Sequence, residues 1–246
     1  MKIFKFYLLL ILTGAFIINS CYQEEKQVQP SDNLTDQIGY WHNIAVGSLF
    51  DNPAFTNYVE AGEISYSEIR DRIMKELSRK DVQLFHYESI REDLLWSDRV
   101  LSEKRILLSP FSGNKRVQGE MPIDFAAVFR YLYDTDEIGE TLYNSFIDLN
   151  KKVLSFEVSR EEIIKLSRQI GGLPLSTKEK SYVDVFNQVL YYSDNYWSKN
   201  HARIQDKRTL SIIWADAAGG LYGMLCGPVC SIIEAAMFSS IMAIQE

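Results

Sequence analysis

LSIIWADAAGGLYGMLCGPVCSIIEAAMFSSIMAI, residues Leu210–Ile244, is the stretch on which the reading of this chain turns. Small residues recur every fourth position, at Ala215, Gly219, Gly223 and Gly227. On a helix that spacing gives one flat face, along which a neighbouring backbone can pack closely; this is the pattern of a glycine zipper. Gly227-Pro228 breaks the stretch into two apolar arms, and only Asp216 and Glu234 bring charge into it. The second arm is apolar nearly all round, with Ile232, Ile233, Ala235, Ala236, Met237, Phe238, Ile241 and Met242. A helix without a polar face is enclosed by other helices or lies in lipid. Each arm is short for a crossing, and a carboxylate in lipid costs about 2.5 kcal/mol or more. The expectation is therefore a buried helical hairpin at the centre of a bundle, with release into a bilayer as the alternative. In the buried case Asp216 lies partly exposed at a helix end or finds a partner inside.

The rest of the chain carries helical patterning. Asp32 or Asn33 can cap a first helix with Leu34, Ile38, Trp41 and Leu49 inward. Ser65-x-x-Glu68, Ser159-x-x-Glu162 and Ser176-x-x-Glu179 are capping boxes ahead of periodic apolar residues. Asp81 is expected to start another helix, Pro122 to stand at the first position of one over 123–133, and a further one to cover 137–154. Residues 109–122 read as a loop. No run of alternating strand residues outweighs this pattern. The predicted fold class is all-α: a single helical bundle over residues 34–246, built around the apolar hairpin at 210–245.

The amino terminus reads as an address. Lys2 and Lys5 precede an uncharged run from Phe6 to Ile18, the form of an export signal. Ile18-Asn19-Ser20-Cys21 resembles the lipobox of bacterial lipoproteins. The resemblance implies a signal peptide over residues 1–20, lipidation (palmitate-type acylation) at Cys21, and a membrane anchor. Each buried CH₂ contributes about 0.8 kcal/mol to such an anchor. Residues 21–33 then form a lipidated, flexible tether. Glu24-Glu25 resembles the acidic surface-export signal of Bacteroidota lipoproteins and reads equally as a soluble linker. Residues 1–20 hold two lysines and no acid. Their removal takes 26 basic residues to 24 against 33 acidic, a net of −9. That balance argues against a nucleic-acid partner.

Three features together resemble a group of uncharacterised Bacteroidota-type lipoproteins. They are the lipobox, a first helix with Gly39-x-x-His42-Asn43, and the Ala-Asp-Ala-Ala-Gly-Gly hairpin start at residues 215–220. The resemblance covers the two ends of the chain. It implies the bacterial envelope, with the outer membrane as the site of the anchor, and assigns no reaction.

Candidate chemistry is sparse. His42, His86 and His201 show no metal-ligand spacing. His42 is readable as a general base or ligand, and more simply as a core-edge histidine bonded to backbone or carboxylate. His42, Asn43 and Asp216 are thus weak functional candidates. No nucleophile elbow or phosphate loop is present. Tyr191, Tyr192, Tyr196 and Trp197 suit a core or a sugar-stacking face. Cys226 and Cys230 flank the Gly227-Pro228 turn, which makes them a candidate disulfide in an oxidising compartment. The sequence thus predicts no enzyme and no cofactor. It predicts an envelope protein that contacts the membrane through its N-terminal lipid and binds or scaffolds an unidentified envelope protein or ligand, with toxin- or immunity-like membrane activity as the alternative.

Overall fold

The computed structural model describes residues 33–52, Phe55, and residues 65–108, 122–200 and 206–244. The export signal, Cys21, the tether, His201 and most of the 109–122 loop lie outside the described residues. Among those described, nine α-helices follow one another: α1 (Ile38–Phe50), α2 (Tyr66–Lys80), α3 (Tyr87–Glu103), α4 (Phe125–Asp134), α5 (Glu140–Leu154), α6 (Arg160–Gly171), α7 (Thr177–Asn200), α8 (Asp206–Gly223) and α9 (Pro228–Ile244). Short 3₁₀ turns at Leu34–Gln37 and Met224–Cys226 lead into α1 and out of α8. The only β-type pairing among these residues is an isolated antiparallel bridge between Leu107 and Ile123. The domain is all-α.

Local signals set most helix starts. Asn33 accepts from the Thr35 amide at the first turn, so it belongs to the folded domain rather than to the tether. The Ser65 and Ser159 capping boxes are complete, and Ser176 and Glu179 exchange the same pair of bonds. Three expected starts shift. Asp81 caps a turn, accepting from the amides of Gln83 and Leu84, and the helix begins only at Tyr87. Pro122 and Ile123 precede α4, which Asp124 caps by accepting from Ala127. Asp136 takes a positive φ, so the chain turns there and α5 begins after Gly139.

The hairpin is the core. In α9, thirteen of the fourteen residues from Ser231 to Ile244 are buried, Ala243 alone being half-buried. α8 buries every residue from Ile212 to Gly223. The arms run antiparallel in contact: a Cβ on Gly219 would stand 2.5 Å from the Glu234 carbonyl oxygen, and one on Gly223 would stand 2.5 Å from the Ser231 Cα. Ser231 Oγ donates to the Gly220 carbonyl at 2.6 Å across the same seam. Gly220 itself faces Val189 of α7, so the approach is close on both sides of α8.

Gly227 corrects the glycine-seam expectation. Nothing lies within 4 Å of its Cβ position, and its φ is +102°. It is a turn residue rather than a packing one, in a backbone region that side chains resist. Pro228 then occupies the first position of α9, where a missing N–H costs nothing.

Around the hairpin, α7 packs on α8, and α1 lies against both α7 and α9. Gly39 lets α1 come close: a Cβ there would meet the Tyr192 ring at 2.5 Å. Trp214 of α8 sits edge-on to Phe129 and Phe186, and Phe146 stacks on Phe129. This aromatic group joins α4, α5, α7 and α8. The Trp214 indole N–H is satisfied by Asn150 Oδ1 at 2.8 Å, as a buried indole requires.

Candidate functional site: two buried carboxyl clusters

Each arm of the hairpin carries one acidic residue, and each is fully buried. Asp216 lies mid-helix in α8 rather than at an exposed helix end. His42 Nε2 meets its Oδ1 at 2.7 Å. Ser193 Oγ and Trp197 Nε1, one turn apart on α7, both donate to its Oδ2, the indole at 3.0 Å. Three helices therefore converge on one carboxylate.

The histidine's other nitrogen is also engaged. Asn43 Nδ2 donates to the Tyr192 carbonyl at 2.8 Å, which turns its Oδ1 toward His42 Nδ1 at 3.0 Å. The ring thus faces an acceptor on each side. Both ring nitrogens are therefore hydrogen-bonded, and both oxygens of Asp216 have partners. A buried polar group of this kind is tolerated only when its hydrogen-bonding capacity is filled, and here it is.

Ser193, His42 and Asp216 include the residue types of a hydrolytic triad, but their connectivity differs. The serine donates to the aspartate, not to the histidine, so no base is placed to activate it. All three side chains are at 0% exposure. The arrangement binds α1, α7 and α8 together.

Glu234 on α9 has a different shell. Ser97 Oγ of α3 donates to its Oε1 at 2.6 Å, and the Tyr66 hydroxyl of α2 donates to its Oε2 at 3.0 Å. Tyr222 of α8 donates to the Ser97 carbonyl at 3.1 Å, closing the group. Arg70 is nearby and buried, but its guanidinium pairs with Asp98 and reaches the Leu94 carbonyl. Among the described residues, no cation touches Glu234 directly. Burial pushes its carboxyl up to about 7, with the Asp98 charge adding to the rise; the bonds from Ser97 and Tyr66 and the Arg70 charge oppose it. Burial and the Glu234 charge likewise raise the hydroxyls of Tyr66 and Tyr222.

Of the residues singled out in the sequence, His42, Asn43 and Asp216 come together. Gly219 and Gly223 form the seam beside them. Cys226 and Cys230 are joined as a disulfide across the hairpin turn, with Cα atoms 5.8 Å apart. Tyr196 and Trp197 are core, whereas Tyr191 and Tyr40 are exposed on α7 and α1. Ser193, Tyr66 and Ser97 were not singled out. Their signal was a small or polar residue in an inward helical position: Ser97 between Leu94 and Leu101, Ser193 between Val189 and Trp197. Among the described residues, no three His, Cys, Asp or Glu side chains converge as a metal site. No protein family, curated protein or solved structure matches the chain.

Proposed function

We propose that this protein is a lipid-anchored module of the bacterial cell envelope whose helical domain binds or scaffolds an envelope partner without catalysing a reaction. The observation that carries this reading is where the reactive side chains stand. His42, Ser193, Asp216 and Glu234 are at 0% exposure and hydrogen-bonded between helices, so they serve to hold the domain together. What the domain offers a partner is its surface, including exposed Tyr40 and Tyr191. The Ile18–Cys21 motif and its resemblance to bacterial lipoproteins supply the anchor and the compartment.

Metabolic labelling with an alkyne fatty acid tests the anchor. Label is expected on the wild-type chain and absent from Cys21→Ala, which moves from the membrane to the soluble fraction. Equal labelling of both forms would end the lipoprotein reading. Photo-cross-linkers placed at Tyr40 and Tyr191 in cells test the binding role, and a single discrete adduct is the expected outcome.

One observation favours the membrane-active alternative enough to state its test. Lys207–Cys226 is long and apolar enough to cross a membrane, with mean hydropathy 1.2, although 78% of that window is buried. Dye release from vesicles by the intact protein would support it. Retention of the dye at all protein concentrations would remove it.

A further inference from the structure

The second arm of the hairpin is tied to its neighbours through a carboxyl that, among the described residues, has no counter-ion in contact. α9 contributes Glu234; α2 contributes Tyr66 and Arg70; α3 contributes Ser97 and Asp98; α8 contributes Tyr222. Other ionisable groups on packed elements are committed elsewhere or distant in effect. His42 of α1 is matched by Asp216 of α8. Tyr131 of α4 faces Tyr222. Asp36, in the turn before α1, is solvent-exposed.

We propose that Glu234 is a proton-operated latch between the core hairpin and the α2–α3 pair: protonated, it closes the cluster, and ionised, it loosens α2 and α3 from α9. The geometry supports this in three ways. Glu234 is wholly buried, so its charged form has no water. Its two direct partners are hydroxyls, which can donate to a carboxylate but can also accept from a carboxylic acid. The nearest cation is held by Asp98, and that second carboxylate opposes ionisation of the first. Protonated, Glu234 can accept from Ser97 and donate to the Tyr66 oxygen, which completes the group without a buried charge.

The sign follows from proton binding. The folded state holds the Glu234 proton up to about 7, whereas a glutamate free of such surroundings loses it near 4.5. Between those values the folded state binds more protons than the unfolded one, so stability falls as pH rises. The contribution is full below the unfolded value and lost by the time pH has passed the folded one. Its limiting slope is roughly tenfold in the folding equilibrium constant per pH unit. The latch thus tightens in acid and slackens at neutral to alkaline pH, independently of whether the domain is a binding module.

Denaturant unfolding of the wild-type chain and of Glu234→Gln at pH 5.5, 6.5 and 7.5 tests this, because the difference between the two cancels every other titrating group. The wild type is expected to weaken relative to the variant by up to roughly tenfold per pH unit, and the variant to be the more stable at pH 7.5. Amide exchange, corrected for intrinsic rates, is expected to quicken in α2 and α3 at pH 7.5 in the wild type only. A pH response identical in the two proteins would overturn the latch. Should Glu234→Gln fail to fold, the carboxyl ¹³C resonance of wild-type Glu234 decides: titration near 7 supports the proposal, and titration complete below 5 refutes it.

Discussion

Asp216 and Glu234 sit on opposite arms of one hairpin, both without solvent, and they solve the same electrostatic problem differently. Asp216 has an imidazole, a hydroxyl and an indole N–H around it. Glu234 has two hydroxyls, while the adjacent guanidinium is turned to Asp98. The first carboxyl has partners from α1 and α7 on both of its oxygens. The second gains most from a proton. Burial alone therefore does not determine what an acidic residue does in a core; the identity of the neighbouring donors does. One arm is clamped by a fully partnered hydrogen-bond group and the other by a titratable contact.

The sharpest way to break this contrast is to remove each carboxyl. Asp216→Ala leaves the Ser193 and Trp197 donors without their acceptor, and each buried unsatisfied group costs about 1–3 kcal/mol. Glu234→Gln is expected to have the opposite sign above neutral pH. Denaturation midpoints at pH 7.5 compare them directly; a loss under about 1 kcal/mol for Asp216→Ala would mean that the Asp216 group is not a clamp. The seam comes next. Gly219→Ala places a Cβ against the Glu234 carbonyl and must push the arms apart, at about 3 kcal/mol. Gly227→Ala meets no atom and suffers backbone strain alone, at about 1–2 kcal/mol. Equal thermal shifts for the two would contradict the assignment of one to packing and the other to the turn. The smallest effect belongs to Ser159→Ala, which removes the α6 cap for about 1 kcal/mol. Its cost should be the same at pH 5.5 and 7.5, unlike any change at Glu234.

The hairpin was legible because its composition leaves it a core or a bilayer, and short arms interrupted by two acids favour the core. Helix starts were legible where a serine met a glutamate three residues on, as at Ser65 and Ser159. Asp81 misled because an aspartate that caps a turn and one that caps a helix look alike until the next residues choose. Asp216 and His42 were each visible singly, but they are 174 positions apart and nothing local pairs them. That contact exists only because Gly39 brings α1 onto α7 while α7 packs on α8. The Glu234 group was less legible still, since tyrosines and serines in amphipathic helices carry no mark of their partners. The four-residue glycine rhythm overreached by one step at Gly227, where the helix had already ended.

The central claim is that residues 210–244 form the structural hub of the domain, held inside by packing and by two carboxyl anchors. Amide hydrogen exchange on the whole protein tests it most directly. The account predicts that amides of Ile212–Tyr222 and Ile232–Ile241 exchange slowest of all, and only through global unfolding. Faster exchange there than in α5 and α6, at a pH where the protein is folded, would contradict it.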